Sequence, residues 1–435
     1  MKQFTLNVLQ FILKFLARLT IARYKPVIVG VTGSVGKTTT REAIRAVISR
    51  ERTVRAPSKN FNNELGFPLT ILGDWSDIGG VFFWIGVIIL SVVRVVFKNS
   101  DYPEVLVLEY AIDKPGDMKY LLSIARPQIG VLTAVGEVPV HVEFFAGPEA
   151  VFREKAKLIS QLPSTGFAIL NADDKLALTA EAETRAQVIA FGFSDKADVR
   201  LSNFTNQLEE GVLFGSSFKF SYRGNMVPVR IKGSLGKAQA YAAAAAAAIG
   251  SLFGANLVSV AEALLDRYNP LAGRTRIIAG LKQSIIIDDT YNASPLAMRE
   301  GLETLRATSG KRRIAVLGDM LELGTFTLEA HEEVGRLAAK CADVLITVGL
   351  RGKFISESAI RAGFDKKKVS AFMSVAEAGK FLQTKLAKGD IVLVKGSQGT
   401  RMEKIVKEVM MEPEKAEKLL VRQNKIWLAK PGLYE

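Results

Sequence analysis

The sequence predicts an α/β protein: a mostly parallel sheet wrapped by helices, then a Rossmann-like α/β domain, both preceded by a short amphipathic helix. Three observations carry this. A buried strand, a glycine turn and a helix follow one another in "KPVIVGVTGSVGKTTTREAIRAVI" at 25–48, the opening unit of a parallel sheet. Residues 272–435 alternate the short strands "SIIIDD", "RIAVLG", "VLITVG" and "IVLVKG" with helical stretches, without a Gly-rich dinucleotide loop. A length of 435 residues, at roughly 150 per domain, gives about three parts. The expected boundaries are 1–25 for the helix, 26–271 for the first sheet domain and 272–435 for the second.

Apolar residues are 48% of the chain and charged residues 23%, so it can bury real cores and is not a disordered chain. The 58 Lys and Arg outnumber the 44 Asp and Glu by 14, which suggests an anionic partner such as a nucleotide, a phosphorylated substrate or an acidic membrane surface. Nucleic acid would suit the charge, but no recognisable nucleic-acid module appears, and none is expected to bind. Cys341 is the only cysteine, which excludes an internal disulfide and a cysteine-based zinc site. With two histidines, His141 and His331, any metal site must lean on oxygen ligands. The expected location is the reducing cytoplasm.

Phe4, Val8, Leu9, Phe11, Ile12, Phe15, Leu16 and Leu19 recur at helical spacing with Lys14, Arg18 and Arg23 among them. This suits a basic helix lying in a membrane interface, and equally a helix packed on the protein's own body. The interspersed charges argue against a signal peptide or a span. A second apolar stretch, within an insertion at about 78–100, reads "VFFWIGVIILSVVRVVF" and carries one charge, Arg94. A single crossing there would put the phosphate loop and Glu109 on opposite sides of a membrane. The stretch is therefore expected to be interfacial, re-entrant or packed on the first helix. Together the two segments would place the protein peripherally on the inner face of the membrane. "AYAAAAAAAIG" at 240–250 reads as a close-packed helix, alanine being the best helix former.

The glycine turn is the strongest chemical signal. Gly33 and Gly36 allow close backbone approach and positive φ, and the N–H groups of Thr32 to Thr39 then cradle phosphates. Lys37 would reach the β- and γ-phosphates, and the Thr38 hydroxyl would face Mg²⁺. The pattern is T-G-x-x-G-K-T rather than the strict eight-residue loop, because Val31 stands where a glycine would be. This makes the first sheet domain a P-loop ATPase domain, with ATP as its nucleotide. The strand in "YPEVLVLEYAIDKPGDM" ends in Glu109, where open α/β sheets place metal ligands. His141 lies in the loop after a further strand, "PQIGVLTAVG", on the same side.

At this point the motifs resemble the Mur ligases, which build peptidoglycan stem peptides, and most closely the branch that adds D-alanyl-D-alanine. The resemblance rests on T-G-S-V-G-K-T at 32–38, "NFNNELGFPLT" at 60–70, "LEYAIDKPGDM" at 108–118, "IIIDDTYNASP" at 285–295, "AVLGDMLELG" at 315–324 and "VLVKGSQGTRME" at 392–403. It implies an ATP-dependent, ADP-forming amide ligase. ATP would phosphorylate a muramoyl-peptide carboxylate, and the amine of an amino acid or dipeptide would attack the acyl phosphate. It also implies two Mg²⁺ ions. One would lie on Thr38 and Glu109, the other on His141 and a carbamylated Lys155, with Lys157 as the competing register. Lys37, Glu109, His141 and Lys155 would be the catalytic set. Arg274 would reach the γ-phosphate, Asp288 or Asp289 the ribose, and Tyr291 and Asn292 the base region. Asn62, Asn63, Asp319, Glu322, Lys395 and Ser397 would face substrate.

Four features depart from the family. Only about 25 residues precede the loop strand, where the family has a domain gripping the uridine diphosphate end of its substrate. The 72–103 connector is longer and more apolar. His141 follows Gly136 later than expected, and Lys237 and Gln239 replace the family's His–Asn region. These leave open an acceptor that is lipid-linked or another surface polymer, and a nucleotide-binding scaffold at the membrane.

Overall fold

The structure, a computed structural model, describes residues 2–57, 61–75, 78–98, 101–209 and 212–434; the ends of the first helix and of the 78–100 insertion, Met1 and 99–100, lie outside them. Helix α1 (Lys2–Tyr24) opens the chain and stops before Pro26, which cannot continue a helix. Strand β1 (Val27–Thr32), rich in β-branched residues, is buried along most of its length. Helix α2 (Lys37–Ile48) starts after Gly36, whose φ of 88° is left-handed. Then come β2 (Val54–Arg55), α3 (Gly66–Leu72), α4 (Val81–Val96), β3 (Val105–Glu109), α5 (Asp117–Ile124), β4 (Ile129–Leu132) and α6 (Pro148–Ser160). The first sheet finishes with β5 (Phe167–Asn171), α7 (Lys175–Thr179), β6 (Gln187–Gly192), β7 (Val199–Glu209), β8 (Val212–Tyr222) and β9 (Asn225–Lys232), followed by α8 (Lys237–Leu252) and α9 (Leu257–Arg267).

Among the described residues the strands of this sheet lie in the order β2-β3-β1-β4-β5-β6-β7-β8-β9. Pairing is parallel as far as β7, and β7, β8 and β9 then run antiparallel. Strand β1 lies between β3 and β4, so the loops leaving their carboxyl ends converge where open sheets bind ligands. Helix α8 is the alanine run, and Ala242 to Ala248 are buried. A Cβ at Gly250 would stand 2.7 Å from Val47 Cγ1 on α2, so the small residues set the close approach of the two helices.

Helix α4 packs on α1. Leu13, Leu16 and Ala17 of α1 share one apolar cluster with Val87 of α4 and with α3, and Tyr24 Oη donates to the carbonyl of Arg94 at 2.8 Å. Packing on the first helix is thus the outcome for the second apolar stretch. Among the described residues no helix is long and apolar enough to cross a membrane.

The second sheet comprises β10 (Arg276–Gly280), β11 (Ser284–Asp289), β12 (Arg312–Gly318), β13 (Val344–Val348), β14 (Val369–Phe372) and β15 (Asp390–Lys395). Their order is β10-β11-β15-β12-β13-β14, parallel except for the β10–β11 hairpin. Helices α10 (Pro295–Ala307), α11 (Thr327–Cys341), α12 (Gly352–Arg361), α13 (Val375–Lys385) and α14 (Glu403–Val409) alternate with the strands. The two sheet domains meet where Leu235 N donates to Thr275 O and where a Cβ at Gly136 would touch Leu296.

Candidate active site

A cleft of about 470 Å³ opens between the two sheets, a size that suits a small-molecule ligand. Its floor is the glycine turn: Ser34, Val35, Gly36 and Lys37. Gly33 behind it has φ 141°, and a Cβ there would stand 2.0 Å from Thr133 Oγ1, so only glycine fits. The Lys37 ammonium donates to Gly33 O at 2.8 Å. Burial pulls its pKa below the ordinary lysine value; Glu109 opposes this and Arg274 adds to it. Among the described residues Ser34 Oγ is buried without a hydrogen-bond partner, an orphan that a ligand oxygen would satisfy. Thr32 and Thr39 are buried behind the loop, where Thr32 Oγ1 donates to Tyr110 O.

The carboxylate of Glu109, at the end of β3, is buried. Its Oε2 accepts from Thr38 Oγ1 at 3.1 Å and from Arg41 at 3.3 Å, and its Oε1 accepts from Asn62 Nδ2 at 3.2 Å. A hydroxyl beside a carboxylate is a hard-oxygen donor set that fits Mg²⁺, and each carboxylate oxygen can accept more than one contact. The neighbouring Asn63 also lines the cleft, and its Oδ1 accepts from Gly66 N at 2.8 Å beside the start of α3.

Lys155 lies on α6, 2% exposed, and lines the cleft. Burial first, and the Lys37 charge second, hold its pKa well below the ordinary lysine value, against the pull of Asp113 and Glu154. Lys157, the competing register, is partly exposed and pairs with Glu154. His141, with φ 69°, presents Nε2 3.3 Å from Asp113 Oδ1 and Nδ1 2.6 Å from Glu322 Oε2. The His141 ring holds Glu322 below the ordinary carboxylate range. Glu322, expected to face the incoming amine, is thus a partner of His141 across the domain junction. Asp113 was not foreseen. It belongs to the loop after β3 and lines the cleft between His141 and the two lysines. Among the described residues no group of three His, Cys, Asp or Glu side chains is arranged to hold a metal ion by itself.

The second domain supplies Arg274, Tyr291, Asn292, Ser397 and Gln398 to the cleft. The Arg274 guanidinium lies 3.9 Å from the Tyr291 ring centroid, which fixes its direction. Four residues expected at ligands do not line the cleft and brace the fold instead. Asp288 is fully buried, accepts from Gly273 N at 2.9 Å and Thr290 Oγ1 at 2.6 Å, and is pushed up to about 6 by burial. Asp289 pairs with Lys395 at 2.7 Å, and Lys395 also donates to Asn292 O. Asp319 accepts from Gly352 N at 2.8 Å and Tyr434 Oη at 2.6 Å. The three carboxylates accept from protein donors, and Lys395 donates to Asp289 and Asn292 O. Gln239, in the region that departs from the family, is likewise internal: its Oε1 accepts from Tyr268 Oη at 2.7 Å.

Arg401 was also unforeseen. It lines the cleft with Trp427 and Lys430 of the C-terminal tail and is 2% exposed. Its Nε donates to Glu403 at 2.6 Å and its Nη1 to the carbonyls of Trp427 and Lys430, while its Nη2 has no partner among the described residues. Glu403 also pairs with Arg422 at 3.1 Å, so one buried carboxylate faces two guanidiniums. The surplus positive charge points to an anion on the cleft side.

Comparison with known proteins agrees with this geometry. Residues 90–250 match the Mur ligase middle domain and residues 273–398 match the Mur ligase glutamate ligase domain. The UDP-N-acetylmuramoyl-tripeptide–D-alanyl-D-alanine ligase of Bacillus subtilis is 30% identical over 388 residues, covering 89% of this chain and 76% of that protein. The Mycobacterium bovis enzyme of the same name is 32% identical over 392 residues, covering 85% and 70%. The crystal structure of a MurF ligase from Thermotoga maritima in complex with ADP superposes with a TM-score of 0.74 at 28% identity, covering 93% of this chain and 84% of that one. The chain belongs to the Mur ligase family of ATP-dependent, ADP-forming ligases.

Proposed function

We propose that the enzyme joins D-alanyl-D-alanine, or a similar amine, to a muramoyl-peptide carboxylate through an acyl phosphate. The observation that carries this is the convergence of Lys37, Lys155, Glu109 and Arg274 from two domains on one cleft. In this reading the acceptor carboxylate oxygen attacks the γ-phosphorus and ADP leaves. The amine nitrogen then attacks the acyl carbon, loses a proton, and phosphate departs. Lys37 and Arg274 offset the phosphate charge that spreads in the first transition state. Mg²⁺ on Thr38 and Glu109, and a second ion on His141 and carbamylated Lys155, would add charge neutralisation. Tyr291 and Asn292 would flank the nucleotide, while Asn62 and Ser397 would face substrate. The two apolar helices would hold the enzyme at the inner face of the membrane, where a lipid-linked acceptor would lie.

The test is ADP release with D-alanyl-D-alanine and either a UDP-muramoyl-tripeptide or its lipid-linked form. Turnover that needs both the amine and one acceptor is expected. ATP hydrolysis indifferent to both would overturn the reading in favour of a nucleotide-binding scaffold.

Arg401 and Lys430 give the reading a finer consequence. They are placed to hold the carboxylate of the incoming amine by charge-assisted hydrogen bonds. Arg401→Met should raise KM for the dipeptide by about 30-fold or more with kcat little changed, since a hydrogen bond to a charged group contributes about 2–3 kcal/mol. Lys430→Met, at the exposed rim, should raise it several-fold without threatening the fold.

A further inference from the structure

The surface formed by α1 and α4 is not used by the ligase cleft. Each helix has two apolar faces. One is buried against the protein, where Leu13, Leu16 and Ala17 of α1 meet Val87 of α4. The other is bare. On α1 it runs through Val8, Phe11, Phe15 and Leu19, and on α4 through Phe82, Ile85, Ile89, Val92 and Val96. Both advance by three or four residues, so each stripe follows one face along its helix. Phe11 is 70% exposed and Phe82 is 90% exposed, values far from those of a core side chain. The nine side chains leave on the order of 800 Å² of apolar surface open across the two helices.

The charges on the two helices themselves are of one sign, while Asp74, Asp77 and Asp101 flank the second in sequence. Residues 2–25 and 78–98 contain no Asp or Glu. Lys14 and Arg94 are turned into the protein, where they donate to Ser123 Oγ and Leu72 O. Arg18, Arg23, Lys25 and Lys98 stay exposed. A face of aliphatic and phenyl groups on helices that carry cations and no acids complements a bilayer with anionic headgroups: the apolar stripes enter the acyl boundary and the cations meet phosphate. Among the described residues neither helix is long and apolar enough to cross, so they lie in the plane of the interface.

We propose that α1 and α4 form a docking surface for an anionic lipid bilayer, holding the ligase on the membrane as a peripheral protein. This rests on the membrane location in the functional reading and not on the identity of the acceptor. Helix α3 links the surface to the cleft. It packs on α1 in the shared cluster and begins beside Asn62 and Asn63 on the cleft wall, so docking sets how the cleft faces the membrane.

The test is flotation of the full chain with vesicles of phosphatidylcholine alone or mixed with phosphatidylglycerol. The wild type should float with the anionic vesicles at least about tenfold more than with the neutral ones, and added salt should reduce the difference. A Phe11→Ser, Phe82→Ser, Ile89→Ser variant should lose at least about tenfold of that partition, with ATP turnover on soluble substrates unchanged. Arg18→Gln with Lys98→Gln should lose the preference for anionic vesicles while keeping the fold. Absence of wild-type flotation would overturn the proposal, as would flotation that the apolar substitutions leave intact. A discrete dimer by light scattering that Phe82→Ser dissolves would overturn it in favour of a second copy of the chain. Turnover on soluble substrates reports the enzyme separately, so failure of the surface and failure of the ligase reading are distinguishable.

Discussion

Lys37→Ala should lower ATP turnover by about 10²–10³-fold and leave the protein folded. The ammonium sits on the cleft floor, buried, with Gly33 O as its near partner, the Glu109 charge opposing the effect of burial and the Arg274 charge adding to it. Burial strengthens whatever it does for a phosphate, because little water screens it there. Removing one such preorganised cation costs about 3–4 kcal/mol of transition-state stabilisation. Stability should change little, since the desolvation cost of a buried ammonium offsets most of what its bonds to two loop carbonyls contribute. Single-turnover ADP formation together with a thermal melt separates the two effects. A variant with wild-type kcat would remove Lys37 from the chemistry. A variant that does not fold would show that the lysine holds the loop. Lys37→Arg should recover little, because a planar guanidinium cannot occupy a pocket that fits an ammonium against Gly33 O.

Much of this site was legible in the residues, for a physical reason. A turn that cradles phosphate needs glycine at fixed places, and Gly33 and Gly36 have the positive φ values that need implies. Glu109 was legible because it ends a strand of Val and Leu. The antiparallel arm β7–β9 was less plain, although Phe218, Phe220 and Tyr222 alternate before an Arg-Gly-Asn turn and Val227, Val229 and Ile231 alternate after it. The period of two was present, but it says nothing of which way a strand runs. Asp113 and Arg401 lie inside the motifs at 108–118 and 392–403, but nothing in those motifs singles them out. Asp113 joins the site because a loop folds past His141, and Arg401 because the tail closes over it, and both are events of tertiary packing. Asp288, Asp289 and Asp319 differ in the opposite direction: they read plainly from the sequence but do not line the cleft. A carboxylate at a strand end reads as ligand-facing, yet Gly273 N, Lys395 and Gly352 N reach these three first.

Lys155→Ala should abolish ligation, and the wild type should lose activity when carbon dioxide is stripped from the buffer. The two expectations share one cause. A lysine of ordinary basicity is almost entirely protonated near neutral pH, and an ammonium has no lone pair with which to attack carbon dioxide. Burial and the neighbouring Lys37 hold Lys155 well below that basicity, so a much larger share is neutral amine. The amine nitrogen bonds the carbon of carbon dioxide and releases a proton, giving an anionic carbamate in place of a cation. That change of sign would suit a cation in the cleft. Lys37, Lys155 as an ammonium and Arg274 would be three cations about one site, which would repel a divalent ion. A carbamate beside His141 and Asp113 would make the same place a ligand set. Acid should reverse it: protonation of the amine as pH falls drains the carbamate, so activity should fall toward low pH and be recovered in part by added bicarbonate. Lys155→Ala should show no bicarbonate response and a loss of at least about 10³-fold, and a small carboxylic acid filling the space should restore some turnover. If stripped and bicarbonate-fed wild type turn over alike, the carbamate is excluded, and Lys155 acts as a neutral amine or a plain cation. Lys157→Ala is the internal comparison. That side chain is partly exposed and paired with Glu154, so its loss should cost less than about tenfold.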